Sequence, residues 1–448
     1  MKTKISILGA GSGTFSLSLI RDFCLTPNLQ DCELCFMDIN EERLNASHDL
    51  CMRLTKEMDT PLTLTKTTDL EEALTGASYV ICTILIGGYY RLRDGWAIAA
   101  KYGYAKGGSM HIMHDEAFWV NFYQLRMMED LIQKMERICP EAWCLMVSNP
   151  VLAGTTYLRR KYPHMKFVGL CHGTARLRKV TDILGMDWDK VTSKIPGVNH
   201  FVWLNEFHYE GKDAFPILDK WLEENGEAFL KTNGPSELLS AKAIDLYHKY
   251  GVFPVGDTCT PGGGAWGYDY HTDRQTQEYW NEDPDGWYDR VFGSNEARVK
   301  SIEAAAYDQN QKASSLIDMQ KSDEPMVPLI EALECGVERT VVVNVLNDRE
   351  YVPGIPKDFE VEVPALCGSH GIYPVATKPL PKPILAFALR DRVAPVEMEL
   401  AAYENHDKQL LIDLVMMDPR SSTRKQAEAL VEEILDLPYH QEMKEWYR

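Results

Sequence analysis

Two short segments of the chain carry side chains that could perform chemistry together. In "VGLCHGTARL", Cys171 and His172 end an apolar run, and in "GVNHFVWLNEF" His200 follows 29 residues after Cys171. A thiolate and an imidazole suit a divalent transition metal whose open positions also bind substrate oxygens. The same side chains could instead be a cysteine nucleophile with its histidine base, or ordinary buried core. Residue types alone leave these three interpretations open.

A glycine-rich turn near the start of the chain could bind a dinucleotide. In "ILGAGSGTFS", Gly9 allows a tight turn and Gly11 lets the backbone approach a pyrophosphate at a helix N-terminus. The usual third glycine would fall at Thr14, and Gly13 stands one place earlier. Asp38 ends the next predicted strand, where its carboxylate can accept hydrogen bonds from ribose hydroxyls and would repel a 2′-phosphate. The pattern favours NAD over NADP, with a turn used only for strand–helix packing as the alternative.

The elements that position these residues alternate between strands and helices over roughly the first 170 residues. Apolar runs such as "KISILGA", "YVICTIL" and "KFVGLC" predict buried strands, and helices are predicted over 41–58, 117–137 and 152–161. Continuously apolar strands separated by helices predict an α/β fold with a Rossmann-type doubly wound parallel sheet. Cys171 and the "SNP" segment at 148–150 then lie at the carboxyl ends of strands, where such sheets bind ligands.

A change of pattern near residue 190 predicts a second domain. "TSKIPGVNHFVWLNEFHYEGKD" alternates as antiparallel strands do, a helix is predicted over 236–250, and "RTVVVNVLN" and "FEVEVPALC" predict further strands. We expect an NAD-binding Rossmann-like domain over residues 1–190 and an α+β domain for substrate, metal and oligomerisation over residues 191–448. Lactate and malate dehydrogenases share this two-domain plan.

The composition of the chain indicates which binding partners and which cellular compartment to expect. The net charge of −19 would repel polyanions, so we expect neither nucleic acid nor an anionic membrane surface as a partner. No apolar run is long enough to span a membrane, and the start of the sequence lacks the pattern of a signal peptide. Eleven scattered cysteines in such a chain predict reduced thiols in the cytoplasm.

Several motifs, taken in order along the chain, carry a family resemblance. They are "ILGAGSGTFS", "SNP", "GLCHG", "GVNHF" and "VNVLN…VEVPAL". With them the sequence resembles glycoside hydrolase family 4 over essentially its whole length, and it looks most similar to the alpha-glucosidase branch, which also has matches to "FPVGD" and "DTCTPGGGAW". The resemblance implies a glycosidase of carbohydrate metabolism that uses NAD and Mn2+, or another divalent metal, and forms a homodimer or homotetramer.

The resemblance also implies an unusual hydrolysis. Most glycosidases place two carboxylates across the glycosidic bond. In this family NAD+ oxidises the C3 hydroxyl of the sugar, a base removes the acidified C2 proton, and the metal stabilises the resulting enediolate. The leaving group is then eliminated from C1, water adds, and the retained NADH reduces C3 again.

The resemblance assigns binding residues position by position. Cys171 and His200 match the metal ligands, and Asn149 and Asn199 match positions near substrate hydroxyls. The residues that match the NAD site are Gly9, Gly11, Ser12, Gly13 and Asp38. His172 stands where phosphoglycoside members have Asp or Asn, which argues against a phosphorylated substrate. It could donate a proton to the leaving group or bind the C2 and C3 hydroxyls.

Two aspartates match catalytic positions. Asp257 matches the C2 base of the alpha-glucosidase-like members, although an aspartate here could also simply cap a turn. Tyr268, Tyr270 and His271 are nearby substitutes for the base. Asp115 matches another active-site carboxylate, which would act as an acid or as a ligand of a sugar hydroxyl.

The substrate is expected to be a non-phosphorylated hexoside, alpha-glucoside first and alpha-galactoside next. An alpha-glucuronide or another uronide, or a broad range of alpha and beta glycosides, is the alternative within the family. Close relatives have an arginine just after the "FPVGD" motif, and this sequence does not. The part of the pocket that contacts the leaving group or a charged group of the substrate is therefore expected to differ. From a different class, an NAD-dependent 2-hydroxyacid-type dehydrogenase would give Cys171 and His200 no role, and a non-catalytic NAD-binding protein is a third alternative.

Overall fold

One large mixed β-sheet organises the chain. The computed structural model describes residues 2–233, 238–308 and 310–448, and within them twelve strands form this sheet and three form a small second sheet. The strands are β1 Lys4–Leu8, β2 Glu33–Met37, β3 Thr63–Thr67, β4 Tyr79–Cys82, β5 Trp143–Met146, β6 Phe167–Gly169, β7 Val191–Lys194, β8 Gly197–Val198, β9 Phe201–Leu204, β10 Glu206–Tyr209, β11 Lys212–Asp213, β12 Phe253–Val255, β13 Arg339–Leu346, β14 Glu360–Gly368 and β15 Gly371–Pro374.

Six parallel strands form half of the large sheet, in the order β3-β2-β1-β4-β5-β6. This is the strand order of the doubly wound dinucleotide-binding fold. The strands are short and apolar because both faces are covered; on β4, Tyr79 and Ile81 pack into one core with α-helices, and Val80 and Cys82 pack into another on the opposite face. The predicted α/β class and Rossmann-type parallel sheet are therefore confirmed.

Helices separate and cover the strands. They are α1 Gly13–Cys24, α2 Glu41–Glu57, α3 Leu70–Leu74, α4 Gly88–Lys101, α5 Phe118–Ile138, α6 Val151–Lys161, α7 Arg176–Ile183, α8 Phe215–Thr232, α9 Ala241–Tyr250, α10 Arg274–Trp280, α11 Pro284–Tyr307, α12 Met326–Cys335, α13 Lys382–Ala388, α14 Ala394–Asn405, α15 Lys408–Met416, α16 Arg424–Leu435 and α17 Gln441–Trp446. The helices predicted over 41–58, 117–137 and 152–161 are α2, α5 and α6, and each observed end lies within one residue of its prediction. The helix predicted over 236–250 begins at Ala241, and Ser236 lies outside the described residues.

Antiparallel strands continue the same sheet beyond β6. β13 pairs with β6 through Asn344 and Gly169, and β14, β8, β9 and β12 follow outward. The antiparallel pattern predicted after residue 190 is present, and it extends the parallel half as well as forming the small sheet of β7, β10 and β11. The division of the chain between residues 190 and 191 stays a prediction. In the part of the chain that the structure describes, no helix has both the length and the apolar character needed to cross a membrane.

A buried ion pair holds the glycine-rich segment that follows β12. Lys242 on α9 donates hydrogen bonds to Glu282 (3.0 Å) and to the carbonyl oxygen of Thr260 (2.8 Å). Glu282 also accepts from the backbone N–H of Gly262 (3.0 Å), and both charged side chains are almost completely buried. The segment contains only short 3₁₀ turns as regular structure, so this buried pair helps to fix its path.

The substitution Lys242→Met is expected to lower the free energy of unfolding by about 3–5 kcal/mol, because it leaves the Glu282 carboxylate buried without its counter-charge. The matched control is Lys249→Met on the same helix. Lys249 is half-exposed and pairs with Asp245 (2.6 Å), so its loss should cost about 1 kcal/mol or less. Urea unfolding followed by tryptophan fluorescence measures both, and equal effects would contradict the role given to the buried pair.

Candidate active site

Cys171 and His200 come together at the carboxyl ends of strands. Cys171 lies just after β6 and His200 just after β8. Ligand atoms of Cys171, His200 and Asp257 all lie within 4.8 Å of one another. His200 Nε2 is 3.4 Å from Asp257 Oδ2. The two residues predicted as metal ligands thus share a cluster with the residue predicted as base.

The other ring nitrogen of His200 faces a buried carboxylate. His200 Nδ1 lies 3.1 Å from Glu116 Oε1, and Glu116 accepts hydrogen bonds from Arg392 (3.0 and 3.1 Å). The same guanidinium nitrogen donates to the carbonyl oxygen of Asn199 (2.6 Å), and all of these side chains are buried. The carboxylate beside Nδ1 favours a proton on that nitrogen, so Nε2, which faces Cys171 and Asp257, is the nitrogen that a metal ion could bind in place of a proton.

Glu116 and Arg392 were not singled out by the sequence. Glu116 is adjacent to Asp115 and could have been found as a second carboxylate in the same motif. Arg392 lies 276 residues further along the chain, in a π-helical turn over Leu389–Val393 between α13 and α14. Such turns interrupt α-helices frequently at functional sites, but they leave no sequence pattern that could have revealed this one.

Asp115 and Asn149 form a second part of the cluster. One oxygen of Asp115 pairs with His114, and the other accepts a hydrogen bond from the Asn149 amide (3.0 Å). Burial alone would raise the pKa of Asp115, but the His114 charge and hydrogen bond, the His200 charge and the Asn149 hydrogen bond hold it well below the ordinary value. Asp115 is therefore an ionised acceptor, and its oxygens already have partners.

Asp257 is placed by a close contact between two backbone segments. It lies in a 3₁₀ turn over Gly256–Cys259, and Gly256 has a positive φ of 59°. A Cβ atom on Gly256 would lie 2.7 Å from the carbonyl oxygen of Gly173, so only glycine allows the turn to approach the segment after Cys171. Asp257 Oδ1 accepts from the Thr260 hydroxyl (3.2 Å), a turn contact, and Oδ2 faces His200.

Charges around Asp257 keep its carboxyl ionised. Burial would raise the pKa of Asp257, but the charges of His200, His172 and Arg176 lower it below the ordinary value. His172 is exposed beside Cys171, so the two adjacent residues face different surroundings. Two of the three alternative bases are engaged elsewhere: the Tyr270 hydroxyl donates to Asp245 (2.7 Å) and His271 Nε2 lies 2.9 Å from the Gly107 carbonyl oxygen.

Asn199 lies behind His200 and is fully buried. Its backbone N–H donates to Glu360 (3.2 Å) and its side-chain amide donates to Glu362 (3.1 Å). Burial raises the pKa of Glu362 to about 7, and burial together with the charge of Glu362 raises that of Glu360 well above its ordinary value. The observed contacts of Asn199 are therefore with two carboxyl groups on one face of β14, and its contact with a substrate hydroxyl stays a prediction.

The glycine turn after β1 lies against Asp38. Gly9 has a φ of +86°, and the Gly11 N–H donates to Asp38 Oδ2 (2.9 Å), from which a Cβ on Gly11 would be only 2.7 Å away. Ser12 is exposed at the start of α1. A Cβ on Gly13 would lie 2.4 Å from Ile302 Cγ2 on α11, so Gly13 has the close-packing role usually given to the third glycine.

The donor atoms fit the groups that the sequence predicts. Thiolate, imidazole and carboxylate form a set that binds divalent transition metals, and a glycine turn beside an acidic residue fits a dinucleotide. Ligand atoms of Asp115, Glu116 and His200 also lie within 4.8 Å of one another. In that second group, however, the carboxylates already pair with His114 and Arg392. The cluster of Cys171, His200 and Asp257 is therefore the better candidate metal site.

Similarity to known proteins covers nearly the whole chain. The alpha-galacturonidase of Lachnoclostridium phytofermentans is 24% identical over 475 aligned residues, covering 99% of this chain and 97% of the relative. The alpha-glucosidase of Erwinia rhapontici is 32% identical over 226 residues, 48% of each chain. A crystal structure of a 6-phospho-alpha-glucosidase from gut microorganisms, in complex with NAD and Mn2+, has the same fold, with a TM-score of 0.75, 20% identity and coverage of 97% of this chain and 98% of that one.

Two family models match successive parts of the sequence. The model described as family 4 glycosyl hydrolase matches residues 4–186. The model described as family 4 glycosyl hydrolase C-terminal domain matches residues 195–421. Together the matched segments include the glycine turn, Cys171, His200 and Asp257. The chain therefore belongs to family 4 of the glycosyl hydrolases.

Proposed function

We propose that this chain is a glycosidase that depends on NAD and on a divalent metal ion, manganese first, and that it hydrolyses non-phosphorylated glycosides. The observation that carries the proposal is the cluster of Cys171, His200 and Asp257, with Glu116 behind His200. Support for the cofactors comes from the related 6-phospho-alpha-glucosidase, whose crystal structure is a complex with NAD and Mn2+. When bound, NAD supplies a hydride acceptor and the metal ion supplies positive charge for substrate oxygens.

In this proposal Cys171 and His200 hold the metal ion, and Gly9, Gly11 and Asp38 hold the dinucleotide, with Ser12 and Gly13 at the start of α1. Glu116 orients His200 so that Nε2 is free to bind. The backbone N–H of Gly11 donates to Asp38 before any ligand is present, so the turn and the carboxylate are already arranged against each other.

The proposal gives Asp257, Asp115 and His172 different roles. Asp257 Oδ2 is the C2 base, because this oxygen faces the metal cluster while Oδ1 is held by Thr260. Asp115 accepts a hydrogen bond from a sugar hydroxyl rather than acting as an acid, since the contacts of its two oxygens with His114 and the Asn149 amide favour the ionised form. Exposed His172 contacts the C2 and C3 hydroxyls or donates to the leaving group.

The substrate class follows from His172 and from the relatives. Alpha-linked hexosides and uronides are the expected range, consistent with relatives that are an alpha-glucosidase and an alpha-galacturonidase. The cytoplasmic location and the homodimer or homotetramer that the resemblance implies belong to the same proposal. The dehydrogenase alternative is weaker, because Cys171, His200 and Asp257 would have no role in it.

Removal of either cofactor tests the proposal directly. Hydrolysis of 4-nitrophenyl alpha-glycosides and alpha-uronides should fall at least ~100-fold after chelation or after removal of NAD+, and Mn2+ with NAD+ should restore it. In heavy water the released sugar should carry deuterium at C2. Full activity after both removals would instead indicate hydrolysis by two carboxylates alone.

The variant Cys171→Ser should lose metal binding and turnover while NAD+ binding stays close to that of the wild type. The reason is that the thiolate is a ligand in the metal cluster, whereas the glycine turn lies after β1. Electron paramagnetic resonance of Mn2+ and fluorescence titration with NAD+ measure the two affinities separately. Exposed Cys335→Ser is the control and should change neither. Unchanged Mn2+ affinity in Cys171→Ser would contradict the assignment.

The variant Glu116→Gln should weaken Mn2+ binding about 10- to 100-fold, because outer carboxylates orient the histidine ligands of metals. Its control is Glu331→Gln, which removes another buried carboxylate, one that pairs with Arg339 and has no contact with the candidate site among the described interactions. This control should lower thermal stability without changing the metal affinity. An Mn2+ affinity equal to the wild type in Glu116→Gln would mean that Glu116 only balances the charge of Arg392.

A further inference from the structure

Lys106 is a buried lysine that the proposed mechanism does not use. It lies in the segment between α4 and Asp115, and it is only 6% exposed. Its ammonium lies against the ring of Trp96 and 4.5 Å from the ring centroid of Tyr288. Among the residues that the structure describes, Nζ makes no hydrogen bond. An ammonium group has three donors and no acceptor, so its burial without a partner is unfavourable.

Two further donors beside Lys106 are also without hydrogen-bond partners in the described part of the chain, the indole N–H of Trp96 and the hydroxyl of Tyr288. The two rings contact each other edge to face, with centroids 5.2 Å apart. Trp96 belongs to α4 and Tyr288 to α11, so three separate elements contribute to the cluster. Because an ammonium and an indole N–H can only donate, the Tyr288 oxygen is the one acceptor among these three groups, and the cluster has more donors than acceptors.

The cluster borders the candidate active site. The Tyr288 ring lies 5.8 Å from the ring of His114, which pairs with Asp115, and the His114 ring lies 6.4 Å from that of His200. Burial and the charges of Asp115, Asp257 and Glu116 raise the pKa of Tyr288 well above its ordinary value, so its hydroxyl stays protonated.

A bound anion would favour the protonated form of Lys106. Burial lowers the pKa of Lys106 to about 6, against the opposing charges of Asp285, Asp289 and Asp115, and an anion held beside Nζ would raise that pKa again. Asp285 and Asp289 are exposed on α11, where water weakens their electrostatic interaction with Lys106.

From this geometry we propose that Lys106, Trp96 and Tyr288 bind the carboxylate at C6 of a uronide, and that alpha-uronides are the preferred substrates. The inference rests on the proposed function and narrows its substrate. One flexible ammonium with two neutral donors matches a carboxylate, which has a single negative charge. A phosphorylated sugar has up to two, and the acidic pair on α11 would repel it more strongly than a carboxylate.

The test compares four 4-nitrophenyl substrates with the holoenzyme in NAD+ and Mn2+: alpha-galacturonide, alpha-glucuronide, alpha-galactoside and alpha-glucoside. The wild type should prefer a uronide. Lys106→Met should lower kcat/KM for that uronide about 10- to 100-fold and change that for the neutral glycosides by about twofold or less. Lys106→Arg should recover part of the uronide activity, because it keeps the charge.

The matched control is Lys101→Met on α4, which removes an exposed lysine paired with Glu433 and should leave all four activities unchanged. Thermal unfolding of each variant shows whether Lys106→Met folds, and Lys106→Arg keeps the test decisive if it does not. Equal losses of kcat/KM on uronides and on neutral glycosides in a folded Lys106→Met protein would overturn the inference. That result is expected if Lys106 only balances the charges of Asp285 and Asp289.

Calorimetry separates this inference from the proposed function. Sodium galacturonate or glucuronate should bind more tightly than galactose or glucose, and Lys106→Met should abolish the difference. If the wild type cleaves neutral alpha-glycosides but neither cleaves nor binds uronates, the inference is wrong and the proposed function stands. If uronates bind through Lys106 but no glycoside is cleaved, the carboxylate-binding site stands, and the proposed function and the substrate preference are wrong.

Discussion

The site depends on how the two ring nitrogens of one buried imidazole are directed. His200 is only 6% exposed, and a buried histidine normally uses both ring nitrogens in hydrogen bonds. Glu116 occupies the space beside Nδ1, and Arg392 in turn neutralises Glu116, so Nε2 is the nitrogen that remains for a ligand. His200 also has a backbone φ of 131°, which is unusual for a residue other than glycine and marks a strained backbone at this position.

This constraint draws on distant parts of the chain. The imidazole follows β8, the carboxylate follows α4, and the guanidinium comes from the turn between α13 and α14. The antiparallel half of the sheet positions the imidazole, since β14 pairs with β8 and carries Glu360 and Glu362, which accept hydrogen bonds from the adjacent Asn199. The extension of the sheet past β6 therefore contributes to the position of His200 near Cys171.

The sequence predicted the parts of the site that local patterns determine. Gly9, Gly11, Asp38 and Cys171 follow apolar strands, and the carboxyl ends of parallel strands share one edge of a sheet. The pairing of Cys171 with His200, and the role of Asp257, needed the family resemblance, because their spacing alone is compatible with core residues. The same patterns predicted that the strands through β6 form a parallel sheet. They could not predict that β13 pairs with β6, because that pairing joins segments far apart in the sequence.

Residues whose role depends on a distant partner could not be identified from local sequence patterns. Arg392 looks like any charged residue in a helical segment until its partner Glu116 is known, and Lys106 looks like a loop lysine until its burial is known. Thr14 in place of the third glycine was ambiguous in sequence, and the structure explains it, because the close helix contact falls on Gly13 instead. Burial and partnership are properties of the fold, so they could not be read from residue types.

The contact between Gly13 and α11 has a mechanical consequence. Ile302 meets the dinucleotide turn near one end of this helix, and Tyr288 lies near the other end beside His114. The two residues are 14 positions apart, which along a helix is roughly 21 Å. A helix behaves as a stiff rod over that length, so a shift that opens the turn also moves Tyr288. In the proposed function, α11 would therefore couple the dinucleotide turn mechanically to the residues beside the proposed sugar site.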